Sequence, residues 1–344
     1  MATSFLLGMA AGCQKTDNGA APSSHAETAE HTGAPECVGS NDACTSVAVT
    51  DMLPSSTLVS DVGFVLPGTA IIDEKRDLYL VSNASTHPLE SANNGFISVL
   101  SPKGEMIAPK WIQGGKKGVT LNAPKGMAIR SNILYIADVS VIRKFDLQTG
   151  APNGDIAIND ATYLNDIAVA PNGTLFVTDT GLTPENGRLV PSHTDSIYAV
   201  DIDDKVTTVA SGDHLKQPNG VYVAANGLYV VSFSTPTVLF VSFDGKVEET
   251  AKVPGSRLDG VVRLPDGDLL VTSWHTSALL RGRPEGPFTA IKQDLKTPAD
   301  FSYDRKRNQL VIPLAQQNAL LIQPLNTATS RNNTTASPSS APAS

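Results

Sequence analysis

The sequence has few cysteines and no strong positive charge. Cysteine accounts for 3 of 344 residues, and 26 lysines and arginines face 34 aspartates and glutamates, for a formal net charge of −8. Because no basic cluster stands out from this acidic background, we expect no nucleic-acid partner. Long apolar runs are also missing, since none reaches the roughly 18 residues that a membrane-spanning helix needs. The sequence therefore predicts no transmembrane segment, while its 41% hydrophobic residues suffice for a core.

What the sequence does contain is a repeat built of short strands. The clearest copy runs from Pro218 to Ser232, PNGVYVAANGLYVVS. Val221 and Val223 show the period of two that is typical of a strand. Asn226-Gly227 is a hairpin signal, because both central residues of such a turn need positive φ. Residues 228–231 then predict an apolar return strand.

Five other segments share this organisation, in which an apolar strand, a polar turn and a return strand beginning with leucine follow one another. They are residues 67–82, 124–138, 164–179, 258–273 and 298–314. From Gly126 the equivalent positions are Asp166, Gly220, Gly260 and Asp300, at spacings of 40, 54, 40 and 40 residues. A strand-only repeat of roughly 40 to 45 residues is typical of a β-propeller blade. Six copies predict an all-β, six-bladed propeller with four-stranded blades.

Composition separates this propeller, residues 46–325, from two polar ends. Strand-like stretches at 46–53 and 57–66 predict an N-terminal strand that closes the ring by pairing with the last blade. Residues 14–45 and 326–344 are rich in small and polar residues, so we expect a disordered tether and a disordered tail. Since a closed propeller has no free sheet edge that forces association, we expect a monomer.

The cysteines all lie in the N-terminal part of the chain. Residues 1–13, MATSFLLGMAAGC, resemble the end of a bacterial lipoprotein signal, in which Cys13 would carry the lipid. The resemblance implies the periplasm or cell envelope, with this lipid anchor as the membrane contact, or otherwise a secreted protein; the alternative is an incidental start. Cys37 and Cys44 enclose six residues and predict a small structural disulfide loop in an exported protein, against two free thiols.

Two long loops indicate a functional face. Residues 83–95 and 180–195 interrupt blades one and three between the second and third strands, and long loops on one face usually serve function. The four histidines of the propeller are predicted to lie on that face: His87, His193, His214 and His275. Of these, His87 and His193 are candidate substrate contacts.

The residue that opens each inner strand is predicted to face the central channel. In blade order these positions hold Gly68 or Thr69, Lys125, Asn165 followed by Asp166, Asn219, Asp259 and Ala299. Carboxylate and amide oxygens that converge from several blades suit a hard cation such as Ca²⁺. The alternative is turn chemistry, in which Asn and Asp bond their own backbone.

At these positions the chain resembles the senescence marker protein/gluconolactonase family and the related paraoxonases, which are six-bladed, calcium-dependent lactonases. The similar motifs are N-D at Asn165, P-N-G at Asn219 and D-G at Asp259, and the resemblance covers roughly residues 60–325. It implies a Ca²⁺ held by these three residues. Asp166 is a further candidate ligand, with a hydrogen bond to the next blade as the alternative.

The resemblance also implies a catalytic candidate outside the ring. His275 lies sixteen residues beyond Asp259, in a loop where paraoxonases place an active-site histidine. As a general base it would take a proton from the attacking water. The alternative is a loop histidine that packs beside Trp274, itself a candidate substrate contact.

Two positions depart from the family pattern. The first blade of the family supplies a glutamate ligand where this chain has Gly68 or Thr69. The second blade has Lys125, and an ammonium about 6 Å from a divalent ion would cost about 5 kcal/mol at an effective dielectric constant near 20. Lys125 therefore either turns away from the ion or pairs with Asp259 in its place.

Two functions of different classes follow. The first is an exported, Ca²⁺-dependent hydrolase of a lactone or ester, in which Asp259 or His275 activates water. Its substrate contacts would come from Lys125, His87, His193 and Trp274. The second is a non-catalytic propeller that binds a ligand or a protein on the same face, which the missing glutamate and Lys125 favour. A lyase on a similar propeller has no specific support in the sequence.

Overall fold

The structure, a computed structural model, describes residues 55–84, 92–186 and 188–325. Several predicted features lie outside these residues. They are the signal at Cys13, the tether with Cys37 and Cys44, the stretch 46–53, the loop histidine His87 and the tail 326–344.

Six four-stranded antiparallel sheets form the blades, and in the first five the strands follow chain order from the inside outward. Blade 1 holds β2 (Pro67–Asp73), β3 (Leu78–Asn83), β4 (Phe96–Leu100) and β5 (Met106–Gln113). Blade 2 holds β6 (Pro124–Arg130), β7 (Ile133–Asp138), β8 (Val141–Asp146) and β9 (Pro152–Ala157). Blade 3 holds β10 (Leu164–Val169), β11 (Leu175–Asp179), β14 (Ser196–Val200) and β15 (Val206–Ser211), with a separate hairpin of β12 (Leu182–Glu185) and β13 (Arg188–Pro191). Blade 4 holds β16 (Pro218–Val223), β17 (Gly227–Ser232), β18 (Thr237–Ser242) and β19 (Val247–Lys252).

Blade 5 holds β20 (Leu258–Arg263), β21 (Leu269–Ser273), β22 (Ala278–Gly282) and β23 (Phe288–Lys292). Blade 6 holds β24 (Ser302–Asp304), β25 (Gln309–Leu314), β26 (Ala319–Pro324) and, on its outer edge, β1 (Thr57–Val59). Two short 3₁₀ helices, Asp213–Leu215 and Ala315–Gln317, complete the described elements, and neither is long or apolar enough to cross a membrane. The six-bladed propeller predicted from the repeats is confirmed.

The first and last parts of the propeller meet in blade 6. Thr57 pairs with Ile322 and Val59 with Leu320, so β1 forms the outer strand of blade 6. Of the predicted stretch 57–66, only these three residues form a strand. Next to the axis, the backbone nitrogen of Asp300 donates to the carbonyl of Gly68 at 3.1 Å, which joins blade 6 to blade 1.

The core lies between the blades. Six hydrophobic clusters each combine residues of two neighbouring blades, one cluster at every junction around the ring. Ile142 of blade 2 and Val177 of blade 3, for example, are both fully buried in one cluster. A single blade therefore has no core of its own, and the ring is stabilised as a unit.

The serine or aspartate that ends most second strands anchors the chain where it enters the blade. In blade 2, Asp138 accepts hydrogen bonds from the backbone nitrogens of Asn122 and Ala123 at 2.9 and 2.8 Å. In blade 3, Asp179 accepts from the backbone nitrogen of Tyr163 at 2.8 Å. These carboxylates satisfy backbone donors that the sheets leave unpaired, and they fix the loops that lead to the axis.

The turn predicted at Asn226-Gly227 differs in the structure. The hairpin is present, but neither residue has positive φ. The backbone nitrogen of Ala224 instead donates to the carbonyl of Gly227 at 2.8 Å, which makes Ala225 and Asn226 the central residues. Gly227 already belongs to β17, where a Cβ would press against the ring of Phe240. Close packing between strands, rather than turn geometry, requires this glycine.

Candidate functional site

A repeated irregularity in the inner strands positions the site. In blades 1 to 5 the pairing of the first two strands shifts register directly after the first residue of the inner strand. In blade 4, for example, Pro218 pairs with Ser232 and Val221 with Val230, so Asn219 and Gly220 together oppose one residue. Such a bulge bends the strand and redirects a side chain. Here it turns the first bulge residue towards the cavity at the axis.

One cavity of about 190 Å³ collects these redirected residues. Its lining includes Gly68, Lys125, Asn165, Asn219, Asp259 and Ala299, one from each blade. The structure thus brings together the ring predicted from the repeats. Trp274, a predicted substrate contact, lies in the same wall.

Asn219 presents an oxygen to this cavity. Its side-chain nitrogen donates to the carbonyl of Leu258 at 2.9 Å, which fixes the orientation of the amide. Oδ1 is buried and has no hydrogen-bond partner among the residues that the structure describes. Since a buried polar atom without a partner is costly, this oxygen is prepared to receive a ligand.

Asn165 is oriented in a similar way. Its side-chain nitrogen donates to the hydroxyl of Thr180 at 2.9 Å, and that hydroxyl donates in turn to the carbonyl of Pro218 at 2.9 Å. The amide oxygen of Asn165 is left available as an acceptor. Two amide oxygens from neighbouring blades are therefore offered to one cavity.

Asp259 is the one carboxylate among the described residues that line the cavity. It is only 6% exposed, and burial raises its pKa to about 8, with the charge of Asp166 as the next cause. The indole N–H of Trp274 opposes this rise, although it forms no hydrogen bond of normal geometry. A cation beside Asp259 would restore the ionised form.

Lys125 and Asp259 line the same cavity without forming an ion pair. Nζ of Lys125 donates to the carbonyl of Ala123 at 3.3 Å and lies 4.3 Å from the centre of the Tyr163 ring. It forms no salt bridge within the part of the chain that the structure describes. Of the two predicted arrangements, the structure has the one in which Lys125 does not pair with Asp259.

Asp166 lies deeper in the channel, outside the lining of this cavity. Its carboxylate accepts from the backbone nitrogen of Val221 in blade 4 at 2.8 Å and from that of Ile167 at 2.7 Å. It also bonds with Asp300 across the axis, and burial raises its pKa to about 6. The hydrogen bond to the next blade, which was the predicted alternative for Asp166, is present.

The predicted histidines are not brought to the cavity. His275 is exposed, and its Nδ1 lies 3.0 Å from the hydroxyl of Ser256. His193 is also exposed, with Nδ1 3.0 Å from Asp213. Neither side chain is part of the described cavity wall, so the structure separates them from the ring of axial residues.

The apolar half of the wall was not predicted. Leu66, Tyr163, Leu182, Leu189 and Phe233 line the cavity together with Trp274. The rings of Phe233 and Trp274 meet edge to face, with centroids 5.5 Å apart. Both residues directly follow the serine that ends a second strand, so aligning the repeats at that position would have indicated them. Leu182 and Leu189 come from the β12–β13 hairpin of the long blade 3 loop, whose conformation no repeat encodes.

The donor set fits a hard cation. One carboxylate and two amide oxygens from three successive blades line one cavity, and Ca²⁺ accepts such oxygens together with water. Among the described residues, no three His, Cys, Asp or Glu side chains are grouped to hold a metal. A cation in this cavity would therefore depend on the amides of Asn165 and Asn219 and on a single charge at Asp259.

The comparisons with known proteins bear on the fold. No protein-family model matches the sequence, and no curated protein matches it. A gluconolactonase from Xanthomonas campestris superposes with a TM-score of 0.59 at 17% identity, over 80% of this chain and 91% of the other. A structure from the Northeast Structural Genomics Consortium, described as a candidate gluconolactonase, gives 0.58 at 14% identity, over 79% and 94%.

The fold is also similar to that of an enzyme of another class. A catalytically inactive variant of virginiamycin B lyase from Staphylococcus aureus, solved with quinupristin, superposes with a TM-score of 0.56 at 13% identity. The match covers 79% of this chain and all of the other. At such identities the likeness establishes the propeller fold, and the choice of reaction depends on the residues of the cavity.

Proposed function

We propose that this protein is a lactonase-type hydrolase that acts on a lactone or ester with a divalent cation such as Ca²⁺. The cation would be held by Asn165, Asn219 and Asp259. The observation that carries the proposal is the convergence of these three side chains on one cavity, with Oδ1 of Asn219 buried and unpartnered within the described part of the chain. The likeness to gluconolactonase structures supports the class of reaction.

When bound, the cation would polarise the scissile carbonyl and stabilise the oxyanion that forms on it. Asp259 is the group that would accept the proton of the attacking water, because it is the carboxylate on the cavity wall. His275 is less suited to this role, since it is exposed and bonded to Ser256. Asp166 would hold the channel together, because backbone donors occupy both of its oxygens.

The apolar wall would bind the hydrocarbon part of the substrate. Phe233 and Trp274 form one rigid side, and Leu182 and Leu189 of the hairpin approach from another loop. Burial of the substrate against these groups would exclude bulk water and strengthen the electrostatic interactions around the carbonyl.

Calorimetric titration of Ca²⁺ into chelator-treated protein tests the proposal, followed by hydrolysis assays on γ-lactones, δ-lactones and aryl esters. We expect saturable binding near one ion per chain and hydrolysis that depends on the cation. Asp259→Asn is expected to lose both, because it removes the carboxylate from the wall. The matched control is Asp294→Asn, which changes an exposed aspartate and is expected to behave as wild type. No binding up to millimolar Ca²⁺, or undiminished hydrolysis in Asp259→Asn, would contradict the proposal.

A second candidate is a propeller that binds a ligand in the same cavity without catalysis. Two observations favour it, namely Gly68 at the position of the family's glutamate and the buried cation Lys125. A ligand that binds in the cavity and is recovered unchanged from the cation-loaded protein would support this candidate.

A further inference from the structure

Lys125 is a buried ammonium that forms no salt bridge with any residue in the described ranges. The residue is only 7% exposed, yet its Nζ makes one protein hydrogen bond, to the carbonyl of Ala123. An ammonium has three N–H donors, and the ring of Tyr163 compensates part of the charge through its π face. Lys125 also lines the cavity, so a group bound there can reach its ammonium.

The nearest carboxylates are already engaged. The charges of Asp138 and Asp179 attract the Lys125 ammonium without contacting it. Both carboxylates accept hydrogen bonds from backbone nitrogens of their own blades. Burial still lowers the pKa of Lys125 to about 8, which leaves the side chain mostly protonated at neutral pH. Protonated lysine in a largely apolar cavity is stabilised strongly by an anion.

Among the described residues that line the cavity, Lys125 is the one with a basic side chain. Blade 2 holds Lys125 and blade 5 holds Asp259, so they stand on opposite sides of the six-bladed ring. A substrate with its scissile carbonyl beside Asp259 would have Lys125 on the opposite wall of the same cavity. Apolar groups such as Phe233 and Leu182 line the same cavity.

We propose that Lys125 selects substrates that carry a carboxylate, so that the ligand is a small anionic molecule with an apolar body. A single ammonium matches the single charge of a carboxylate. A phosphate dianion would leave one charge uncompensated against apolar walls. The binding of a carboxylate by Lys125 does not depend on the proposed function. The selection of substrates by Lys125 rests on the proposed hydrolase function.

Binding of two matched probes tests the inference in chelator-treated protein, where no cation attracts a carboxylate. The probes are 3-phenylpropanoate and its neutral analogue 3-phenylpropanamide, titrated calorimetrically. We expect the acid to bind about tenfold to a hundredfold more tightly, as is usual for a hydrogen bond to a charged group. Lys125→Met is expected to abolish this preference, and Lys252→Met, at an exposed lysine of blade 4, to retain it.

Three results would overturn the inference: equal affinity for the two probes in wild type, a preference that survives in Lys125→Met, or inorganic phosphate binding more tightly than the acid. Circular dichroism and cooperative thermal unfolding check that the variant is folded. Lys125→Gln serves as a second variant if Lys125→Met does not fold. Loss of the preference in either folded variant supports the inference.

A hydrolysis assay separates this inference from the proposed function. The substrates are 5-oxotetrahydrofuran-2-carboxylate and the corresponding primary amide, compared as a ratio of kcat/KM values in cation-loaded protein. We expect the ratio to favour the acid and to fall at least tenfold in Lys125→Met. Hydrolysis of both substrates at equal rates would contradict the inference and leave the hydrolase proposal intact. Preferential binding of the acid without any hydrolysis would support the inference and contradict the hydrolase proposal.

Discussion

At the scale of single residues, the cavity contains two ionisable groups whose burial opposes their charge. Burial raises the pKa of Asp259 to about 8 and lowers that of Lys125 to about 8. Perturbed groups of this kind concentrate at functional sites, because structural positions rarely retain such a cost. Both positions therefore have consequences for stability that can be measured without knowledge of the substrate.

Replacement of Asp259 by Asn should stabilise the cation-free protein. The folded pKa lies above the ordinary value of 3.8, so the folded state binds the extra proton, and wild-type stability falls as pH rises from about 4 to about 8. We expect Asp259→Asn to unfold with a higher free energy at pH 7, by an amount on the order of a few kcal/mol. The gain should shrink towards pH 4. Urea unfolding across this pH range measures it, and a gain that is independent of pH would contradict this assignment.

Replacement of Lys125 by Met should also stabilise the free protein, with the opposite pH dependence. The folded pKa lies below the ordinary 10.5, so the unfolded state binds more protons and wild-type stability rises between about pH 8 and pH 10.5. We expect Lys125→Met to be more stable at pH 7 by on the order of 1 to 3 kcal/mol. The advantage should decline as pH approaches 10.5. A variant less stable than wild type at pH 7 would show that the contacts of the ammonium outweigh its desolvation.

The repeats made much of the fold and ring predictable. Each hairpin next to the axis begins and ends close to the predicted residues, because alternating apolar positions and recurring turns are local signals. The axial ring followed from aligning the repeats, and its members share one cavity. The direction of the Lys125 side chain and the exposure of His275 were not predictable, because both depend on contacts between distant loops. The carboxyl pair of Asp166 and Asp300 was missed for the same reason, since it forms across the axis.

At the scale of elements, the inner-strand bulge converts a common hairpin into a wall of the cavity. In blades 4 and 5 the bulge leaves little room for the residue after the axial one. A Cβ on Gly220 would overlap the backbone carbonyl oxygen of Asp259, and a Cβ on Gly260 would press on Asp300. These glycines let neighbouring inner strands approach closely at the axis, and they thereby set the positions of the ligand side chains.

Gly220→Ala should therefore damage both fold and site. The overlap involves backbone, which cannot move aside as a flexible side chain would, so we expect a loss of about 2 kcal/mol or more in unfolding free energy. Cation affinity should fall with it, because Asp259 is displaced. The control is Gly68→Ala in blade 1, where a Cβ has its nearest neighbour at 3.6 Å. Equal stability of the two variants would contradict the close approach of the strands.

The same space at Gly68 permits a test by gain of function. Gly68 lies in the cavity wall, where the resemblance to the gluconolactonase family implies a glutamate, and a Cβ there meets only ordinary contacts. Gly68→Glu adds a second carboxylate to the ligand set, and ligand charge tunes Ca²⁺ affinity. We expect at least tenfold tighter Ca²⁺ binding by calorimetry, with Gly68→Gln as the uncharged control. Unchanged affinity in Gly68→Glu would mean that the cation does not bind at the axis.

At the scale of the whole molecule, the cavity exists only because the ring is closed. Its three proposed ligands come from blades 3, 4 and 5, and its lining also includes Gly68 of blade 1 and Lys125 of blade 2. Because each core cluster joins two blades, the ring is expected to unfold cooperatively and to take the site with it. A cation that bridges three blades should raise the unfolding temperature, since it binds the folded state alone.

The most direct test of the central claim is a crystal structure of the protein grown or soaked with Ca²⁺. The account predicts one ion at the axis, bound by the side-chain oxygens of Asn165, Asn219 and Asp259 at about 2.3 to 2.6 Å, with water completing the coordination. An axial cavity without an ion at saturating Ca²⁺, or Lys125 turned onto Asp259 in its place, would contradict it.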